Sequence, residues 1–549
     1  MSRLVSSMTA ARFRSGAWLT LAAALVLLPG CSRRETDVER ANREQVLLIG
    51  VDADVSELDP QIVTGVADFN TVLALFEGLV DLDPRTLAPV PAVAESWSVA
   101  PDGLEWTFHL RPDVRWTDGT PLTAETFVAS WRRLLTPTLA AEYASLLYPV
   151  VNAEAFHRGQ LADFGQVGLT APDSRTLRLR LVHPEPHLLE ALALPPLFPV
   201  PGHVIERCGP AAGRGNTWTR PATFVGNGPF RLTEWRPGQV VIAAKNPAYR
   251  AAAEVRLNGV RIFTVENLDT EERMFRSGQL HVVSALPVTR IESWQRENPA
   301  VLRREPFLGT DFFRLNVSQP PLDDRRVRRA LALALDREAL VARALRSTKL
   351  PAHSLVPPGL AGYTPADGLR SDAAVARRLL AEAGYPGGKG APPITILFNS
   401  SAQHRAVCEV VQEMWRQELG LDVRLENQEK KVVHDAQRSG AFQVLRSSWT
   451  ADYPAAEAFL AVFTATSGNN HTHWANAGYD RLLAEAARAT DPVARAAGQR
   501  QAETFLLAEV PLIPLYHYIN FYLVDRAVHG WEGNALDRRP LKQLWLEAP

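Results

Sequence analysis

One stretch near the C-terminal third, residues 442–454, combines side chains and backbone that could bind a ligand. Its apolar beginning is typical of a strand, and small residues around Trp449 leave backbone N–H and C=O groups uncovered. Asp452 then stands where a Tyr-Pro pair ends the pattern. A strand that runs into such a loop could dock an extended peptide, with Asp452 neutralising its amino terminus. The ordinary alternative is a sheet strand followed by Asp452 as the N-cap of a helix over 455–463.

A metal-dependent reaction is a second possible chemistry. His471 and His473 would lie on one face of a strand and could hold a metal ion, but no third ligand is evident nearby. The sequence contains no nucleophile elbow, zinc-helix motif, phosphate loop or paired-cysteine metal motif. We therefore expect neither an enzyme nor a cofactor. A secreted metal-dependent hydrolase using His471 and His473 is the remote alternative.

The composition narrows the class of protein. The chain has 549 residues, 59 Lys and Arg against 60 Asp and Glu, and 46% hydrophobic residues. A chain of this length and apolar content predicts two to four domains with buried cores. Because the net charge is close to zero, nucleic acid is not an expected partner.

The N-terminus predicts export. Two arginines precede an apolar run over 17–28, which is shorter than a transmembrane helix requires. Residues 1–30 are therefore predicted to be a signal peptide. Cys31 follows a small residue and resembles the lipobox of bacterial lipoproteins, which implies a diacylated thiol and a periplasmic, lipid-anchored protein. Residues 31–44 would be the tether. Ordinary secretion with cleavage nearby is the alternative.

Hydrophobic periodicity and capping residues predict a mixture of strands and helices. Strands are expected over 45–51, 106–110, 114–116, 255–265, 510–523 and 541–546, and helices over 68–79, 124–135, 325–345 from Asp323, 479–489 and 492–507. A strand–helix–strand unit over 393–425 indicates a parallel crossover and an α/β fold. The arginines from Arg325 to Arg329 are interpreted as a solvated helix face with ion pairs. Cys208 and Cys408 fall in different predicted lobes and are expected to be free thiols.

The segments together resemble the peptide/opine/nickel class of solute-binding proteins of ABC importers, in particular its oligopeptide-binding members. The resemblance spans nearly all of the mature chain. It rests on several motifs in the family order, among them Ala-Glu-Ser-Trp at 94–97, Gly-Asn-Gly-Pro-Phe at 226–230, Asp-Arg-Arg-Val-Arg-Arg-Ala-Leu at 324–331, Leu-Leu-Ala-Glu-Ala-Gly-Tyr at 379–385 and Trp-Thr-Ala-Asp-Tyr at 449–453.

This resemblance implies a three-lobed α/β clamshell with discontinuous lobes joined by a hinge. It implies a monomer that captures extended oligopeptides in the cleft and delivers them to the permease subunits of an ABC importer. The expected divisions are lobe I (45–76, 200–308 and 520–549), lobe II (77–199) and lobe III (309–519). A relative tuned to a dipeptide, an opine, a glycan or a metal chelate is the alternative within the class.

The resemblance also assigns site residues. The family's acid that pairs with the ligand's α-ammonium matches Asp452, and the tryptophan walling a side-chain pocket matches Trp449. A tyrosine from the smaller lobe matches Tyr143, a cleft arginine able to receive a ligand carboxylate matches Arg446, and a histidine used for longer ligands matches His404. The remaining expected ligand contacts are Ser448, Thr450 and Tyr518.

Three positions depart from the family pattern. Lys430 stands where the family has an aromatic pocket wall, and Thr64 stands where it has a cleft glutamate. A second cleft arginine falls on Gln437, with Arg438 one place away. The amino-terminal clamp is therefore expected to be retained, while the pockets and the carboxylate end differ.

Overall fold

The computed structural model of the protein describes residues 35–213, 215–489 and 491–547. Within them the strands form an eleven-stranded mixed sheet, a four-stranded antiparallel sheet and two small antiparallel pairs. In chain order the strands are β1 (Val46–Val51), β2 (Val80–Leu82), β3 (Pro89–Pro91), β4 (Ala94–Val99), β5 (Glu105–Leu110), β6 (Leu169–Asp173), β7 (Thr176–Arg180), β8 (Phe230–Arg236), β9 (Val240–Lys245), β10 (Gly259–Thr264), β11 (Val282–Val283), β12 (Leu302–Leu315), β13 (Leu350–Pro351), β14 (Ile394–Asn399), β15 (Val423–Gln428), β16 (Val444–Thr450), β17 (Leu512–Val524), β18 (Val528–His529) and β19 (Trp545–Leu546).

The helices cover the faces of these sheets. They are α1 (Asp37–Glu44), α2 (Val66–Leu75), α3 (Ala124–Leu135), α4 (Ala153–His157), α5 (Leu188–Leu192), α6 (Gly202–Cys208), α7 (Leu268–Arg276), α8 (Val288–Glu297), α9 (Arg325–Leu333), α10 (Arg337–Leu345), α11 (Ala373–Glu382), α12 (Ala402–Leu419), α13 (Lys430–Ser439), α14 (Glu457–Leu460), α15 (Ala477–Arg488) and α16 (Pro492–Glu509). Short 3₁₀ turns lie between them, including Glu142–Leu147 and Leu541–Gln543.

Two long antiparallel strands, β12 and β17, join the predicted lobes I and III. The large sheet runs β15-β14-β16-β12-β17-β11-β1-β10-β9-β8, with β13 beside β17. The second half of β12 pairs with β16, whereas the end of β17 pairs with β11. The β12–β17 register shifts between Pro306 and Thr310. The predicted lobe boundaries at 308/309 and 519/520 therefore fall inside the two crossing strands, beside this irregularity.

Several predicted elements are confirmed. The crossover β14-α12-β15 is parallel, as the strand–helix–strand pattern indicated. Helix α12 ends at Gly420, which adopts the left-handed conformation that glycine accepts without strain. Asp491 caps α16 by accepting hydrogen bonds from two backbone N–H groups of its first turn.

The helix predicted over 325–345 is wrong as a single element. It is two helices, α9 and α10, because Asp336 accepts a hydrogen bond from the backbone of Ala339 and starts a new helix. Asp324, not Asp323, caps the first helix. The solvated-face interpretation also fails for Arg328, which is buried and donates to the carbonyl oxygens of residues 322, 323, 509 and 510.

The expected tether does not extend to residue 44. Residues 37–44 form α1, which begins with a capping box between Thr36 and Glu39. Val38 and Ala41 are buried, and Ala41 packs in a cluster with Leu48 and Leu280, so this helix docks on the folded body. The strand expected over 114–116 is reduced to an isolated bridge.

The anchor prediction lies outside the described residues, because they exclude 1–34 and therefore both the signal peptide and Cys31. Among the helices that are described, none has the length and apolarity to cross a membrane. Cys208 and Cys408 are both free, which confirms the expectation for these two thiols.

Candidate functional site

The end of β16 has an unpaired backbone edge. One edge pairs with β12 along the whole strand, from Val444 to Thr450. The other edge pairs with β14 only at Val444 and Leu445. Within the described part of the chain, no other strand pairs with the segment from Arg446 to Thr450. Its N–H and C=O groups are therefore placed to pair with an extended chain.

Asp452 lies just beyond this edge and meets Tyr143 of the predicted lobe II. The Tyr143 hydroxyl donates a hydrogen bond of 3.3 Å to its carboxylate. The ring of Tyr143 packs against Phe69, with centroids 5.7 Å apart. Burial raises the pKa of Asp452, because water no longer solvates the ionised form fully. Asp452 is thus a partly desolvated carboxylate whose one hydrogen-bond partner among the described residues is neutral.

The alternative role of Asp452 as a helix N-cap is wrong. The helix that follows, α14, begins at Glu457, and its N-cap position is occupied by Ala456 without a side-chain hydrogen bond. The carboxylate therefore serves no capping function and remains available to a ligand.

The side chains of β16 alternate between its two faces. Trp449 packs against the core beneath α14, and its indole N–H donates to the Ala458 carbonyl oxygen at 2.7 Å. Arg446, Ser448 and Thr450 lie on the opposite face, since successive strand residues point to opposite sides. Trp449 therefore does not share one surface with the other predicted contacts on β16, Arg446, Ser448 and Thr450.

Arg446 lies in an ion pair that the sequence did not predict. Its guanidinium contacts Asp311, which is completely buried on β12. The same carboxylate oxygen accepts hydrogen bonds from Tyr516 at 2.9 Å and Tyr518 at 3.3 Å. Burial raises the pKa of Asp311, while the guanidinium opposes this rise. The charge of Arg446 is thus already balanced within the chain, against the expectation that it stands ready for a ligand carboxylate.

His404 lies in the first turn of α12, close to this pair. Burial and the Arg446 charge lower its pKa to about 4, so its ring is neutral at pH 7. Its Nδ1 atom is buried and has no hydrogen-bond partner within the described residues. Tyr518 is fixed from two sides: its ring stacks on Phe307 at 6.2 Å, and a Cβ at Gly309 would lie 2.2 Å from that ring.

The positions that depart from the family pattern are mostly at the surface. Thr64 is exposed just before α2, and Lys430 is exposed in the first turn of α13. Gln437 is half-buried, whereas Arg438 is exposed. Lys430 therefore presents a solvated cation.

A second contact between predicted lobes II and III was missed from the sequence. His187 stacks on Tyr453 with ring centroids 5.3 Å apart, and its Nε2 atom is 4.0 Å from a Glu457 carboxylate oxygen. Burial raises the pKa of Glu457. Together with the Tyr143–Asp452 hydrogen bond, this contact holds the two lobes in apposition.

A cavity of about 350 Å³ lies within the residues predicted to form lobe I. Its wall includes Phe307, whose ring stacks on Tyr518, so the cavity adjoins the cleft. Its other lining residues come from several elements, among them β1, the start of α2, β17 and the C-terminal segment, and include Ile49, Val66, Tyr522, Trp531, Asp537 and Arg539.

The histidine pair does not form a metal site in the described chain. Across residues 35–213, 215–489 and 491–547, no group of three or more His, Cys, Asp or Glu side chains is placed to hold a metal ion. Thr472, between the two histidines, is buried, and His473 has a positive φ of 59°. The hydrolase alternative gains no support from this geometry.

The chain matches a known family over most of its length. The model of the bacterial extracellular solute-binding proteins, family 5, middle, matches residues 88–471. This chain belongs to that family. The earlier resemblance and the predicted α/β binding-protein fold are thereby confirmed, and family membership supports an extracytoplasmic location.

Two curated relatives show the range of the family. The periplasmic oligopeptide-binding protein OppA of Salmonella typhimurium is 33% identical over 517 residues, covering 92% of this chain and 93% of the relative. The probable deoxycholate-binding periplasmic protein YgiS of Escherichia coli is 36% identical over 516 residues, covering 92% and 94%. Family membership alone therefore does not identify the ligand of this protein.

Solved structures agree on the fold. OppA of Burkholderia pseudomallei has a TM-score of 0.78 at 32% identity, covering 92% of this chain and 99% of that one. OppA of Haemophilus influenzae, in complex with RPPGFSPFR, has a TM-score of 0.77 at 31% identity with the same coverage.

Proposed function

We propose that this protein is an extracytoplasmic, lipid-anchored oligopeptide-binding component of an ABC importer. It captures extended peptides by pairing the peptide's free α-ammonium group with Asp452, and it passes them to permease subunits in the membrane. Cys31 carries the anchor. Ser448, Thr450 and Tyr143 lie beside the amino-terminal residue, and Arg446, His404 and Tyr518 lie further along the ligand. Trp449 supports the strand from the opposite face of β16.

The observation that carries this proposal is the position of Asp452. It is a half-buried carboxylate at the end of β16, and among the described residues no strand pairs with the outer edge of β16 from residue 446 to 450. A partly buried carboxylate with a single neutral partner is stabilised by a cation, and a peptide supplies one at its amino terminus. The adjacent backbone edge supplies hydrogen bonds that do not depend on the ligand's side chains.

The same site disfavours an anionic ligand at this end. A bile acid carries a carboxylate, and placing that group beside Asp452 would bring two like charges together in a partly desolvated site. The relatives named for oligopeptides therefore fit the geometry better than the relative named for deoxycholate.

Isothermal titration calorimetry with paired peptides tests the proposal. The purified protein is titrated with tetra- to hexapeptides bearing a free amino terminus and with the same sequences N-acetylated. We expect binding of the free-amine peptides and a loss of about 2 kcal/mol or more on acetylation, because the neutral amide leaves Asp452 unpaired. Equal affinity for the two sets would refute the role of Asp452. Native mass spectrometry of the co-purified ligand tests the peptide class directly.

A further inference from the structure

His187 stands between two carboxylates that belong to different predicted lobes. Its Nδ1 atom is 3.9 Å from a Glu190 carboxylate oxygen on α5, in lobe II, and its Nε2 atom is 4.0 Å from a Glu457 carboxylate oxygen on α14, in lobe III. The imidazole ring also stacks on Tyr453, with an angle of 29° between the ring planes. A stacked ring is thus held with one carboxylate on each side, both just beyond hydrogen-bond distance.

The two atoms that face each other across the lobes lack hydrogen bonds. His187 Nε2 and Glu457 Oε2 are both buried, and neither has a hydrogen-bond partner in the part of the chain that the structure describes. Buried polar atoms are normally paired, because losing water without gaining a partner is unfavourable. Since an N–H···O bond is about 2.9 Å long, an approach of about 1 Å between the two lobes forms the missing bond.

The packing of the hydrophobic cores allows such an approach. One cluster joins side chains of predicted lobes I and II, such as Leu47 and Phe127. The clusters that contain Phe313 and Phe459 are built almost entirely from lobe III. The long strands β12 and β17 run from one of these bodies to the other, and their register is irregular near the boundary. A rotation of lobe III about these strands therefore changes the distance between the imidazole and the carboxylate without breaking a core.

The surroundings of this contact carry more negative than positive charge. The charged and titratable groups that act on Tyr453 or Glu457 are Glu185, Glu190, Asp452, Arg495, His183 and His187. Burial raises the pKa of Glu457, Glu185 adds to the rise, and the charge of a protonated His187 opposes it. A protonated imidazole has two N–H donors, so it can bond to a carboxylate on each side while it balances the excess of acid.

We propose that His187, Tyr453 and Glu457 form a clasp that takes up a proton at His187 and holds predicted lobes II and III together around a bound ligand. The imidazolium donates from Nδ1 to Glu190 and from Nε2 to Glu457, and Tyr453 holds the ring in place by stacking. Because histidine ordinarily changes its charge between about pH 5 and 8, the clasp strengthens as the pH falls through this range. It acts on the lobes and not on the ligand, so it slows ligand release.

Release rates of a bound peptide test the clasp. A free-amine peptide, supplied by the proposed function, is displaced in stopped-flow experiments at about pH 6 and pH 8. His187→Phe keeps a ring that can stack on Tyr453 but removes both N–H donors. His187→Gln keeps a neutral donor that cannot take up a proton, and Glu457→Gln removes the carboxylate charge. His109→Gln, which removes an exposed histidine of β5, is the matched control.

Each release rate is divided by the wild-type rate at the same pH, so that the titration of Asp452 cancels. At pH 6 we expect His187→Phe and Glu457→Gln to release the peptide about tenfold faster than the wild type, as for the loss of a charge-assisted hydrogen bond. His187→Gln should match the wild type at pH 8 and exceed it at pH 6. The double variant His187→Phe/Glu457→Gln should be no faster than His187→Phe alone, because both changes break one contact. Unchanged association rates show that the variants are folded.

Two outcomes would overturn the clasp while leaving the proposed function intact. One is a ratio for His187→Gln that is the same at both pH values, since the wild-type ring then takes up no proton on closure. The other is additive effects of His187→Phe and Glu457→Gln, since the two side chains then act separately.

A second measurement separates failure of the clasp from failure of the proposed function. If no free-amine peptide binds the wild type, the proposed function fails, and the clasp is tested by electron–electron spin resonance between labels at the exposed positions Asp113 and Arg438, in a Cys208→Ser background. We expect the label distances to shift between about pH 8 and pH 6 in the wild type and to stay constant in His187→Gln. An identical response of the two proteins overturns the clasp.

Discussion

Replacing Asp452 by Asn removes one charge while preserving the size of the side chain. The amide oxygen can still accept the hydrogen bond from Tyr143, so the contact between the lobes is retained. What is lost is the attraction between a partly desolvated carboxylate and the ligand's ammonium. At about 4 Å and an effective dielectric constant of about 20, this attraction amounts to about 4 kcal/mol.

Some of this attraction replaces hydrogen bonds to water, so we expect a net loss of about 2 to 4 kcal/mol, or roughly 30- to 700-fold in Kd. The assay is a double-mutant cycle by calorimetry, with free-amine and N-acetylated forms of one peptide against the wild type and Asp452→Asn. Asp113→Asn, at an exposed position away from the proposed site, is the control. The acetylated peptide should bind both proteins with similar affinity. An unchanged affinity of Asp452→Asn for the free amine would refute the assignment.

Two further predictions concern stability. Arg446→Met should lower the free energy of unfolding by about 3 to 5 kcal/mol, because it leaves the buried Asp311 carboxylate uncompensated. In urea unfolding, the double variant Arg446→Met/Asp311→Asn should recover the free energy of unfolding that Arg446→Met loses. Arg377→Met, which breaks an exposed ion pair with Glu418, should lose less than about 1 kcal/mol. Because burial raises the pKa of Asp452, the unliganded folded protein binds a proton at this carboxylate more tightly than the unfolded chain does. Its free energy of unfolding should therefore increase as the pH falls through the raised pKa. Asp452→Asn should lack this gain and have a higher Tm than the wild type at pH 7 without ligand.

Each of these stability predictions has a clear contrary result. If Arg446→Met were as mild as Arg377→Met, the Arg446–Asp311 pair would not compensate buried charge. If the wild type and Asp452→Asn showed the same dependence of unfolding free energy on pH between 7 and 4, the Asp452 carboxylate would not be desolvated in the fold.

His187, Tyr453 and Glu457 form a second contact between the predicted lobes II and III. Together with Tyr143 and Asp452 it joins residues that are more than 250 positions apart in the chain. Both carboxylates at this junction are partly desolvated, which raises their pKa. The amino-terminal end of the proposed site is thus an acidic environment at the boundary of two lobes, suited to a cation that bridges them.

Local sequence determined much of the secondary structure. The strand–helix–strand unit, the cap at Asp491 and the helix end at Gly420 follow from hydrophobic periodicity and from residues whose conformational preferences act over a few positions. The helix break before Asp336 was missed because a good capping residue inside a long apolar pattern looks like an ordinary helical position. Residues 37–44 were read as a tether because few of them are apolar, although Val38 and Ala41 suffice to dock α1.

Hydrophobic alternation predicted the strand that leads to Asp452, and the family motifs indicated which residues to consider for the ligand. How the charges of these residues are balanced became evident only from the packing of distant strands. Asp311 and Arg446 come together because β12 and β16 are neighbours in the sheet. Electrostatic partners depend on distances across strands that are far apart in the chain, and no local pattern of residues encodes those distances.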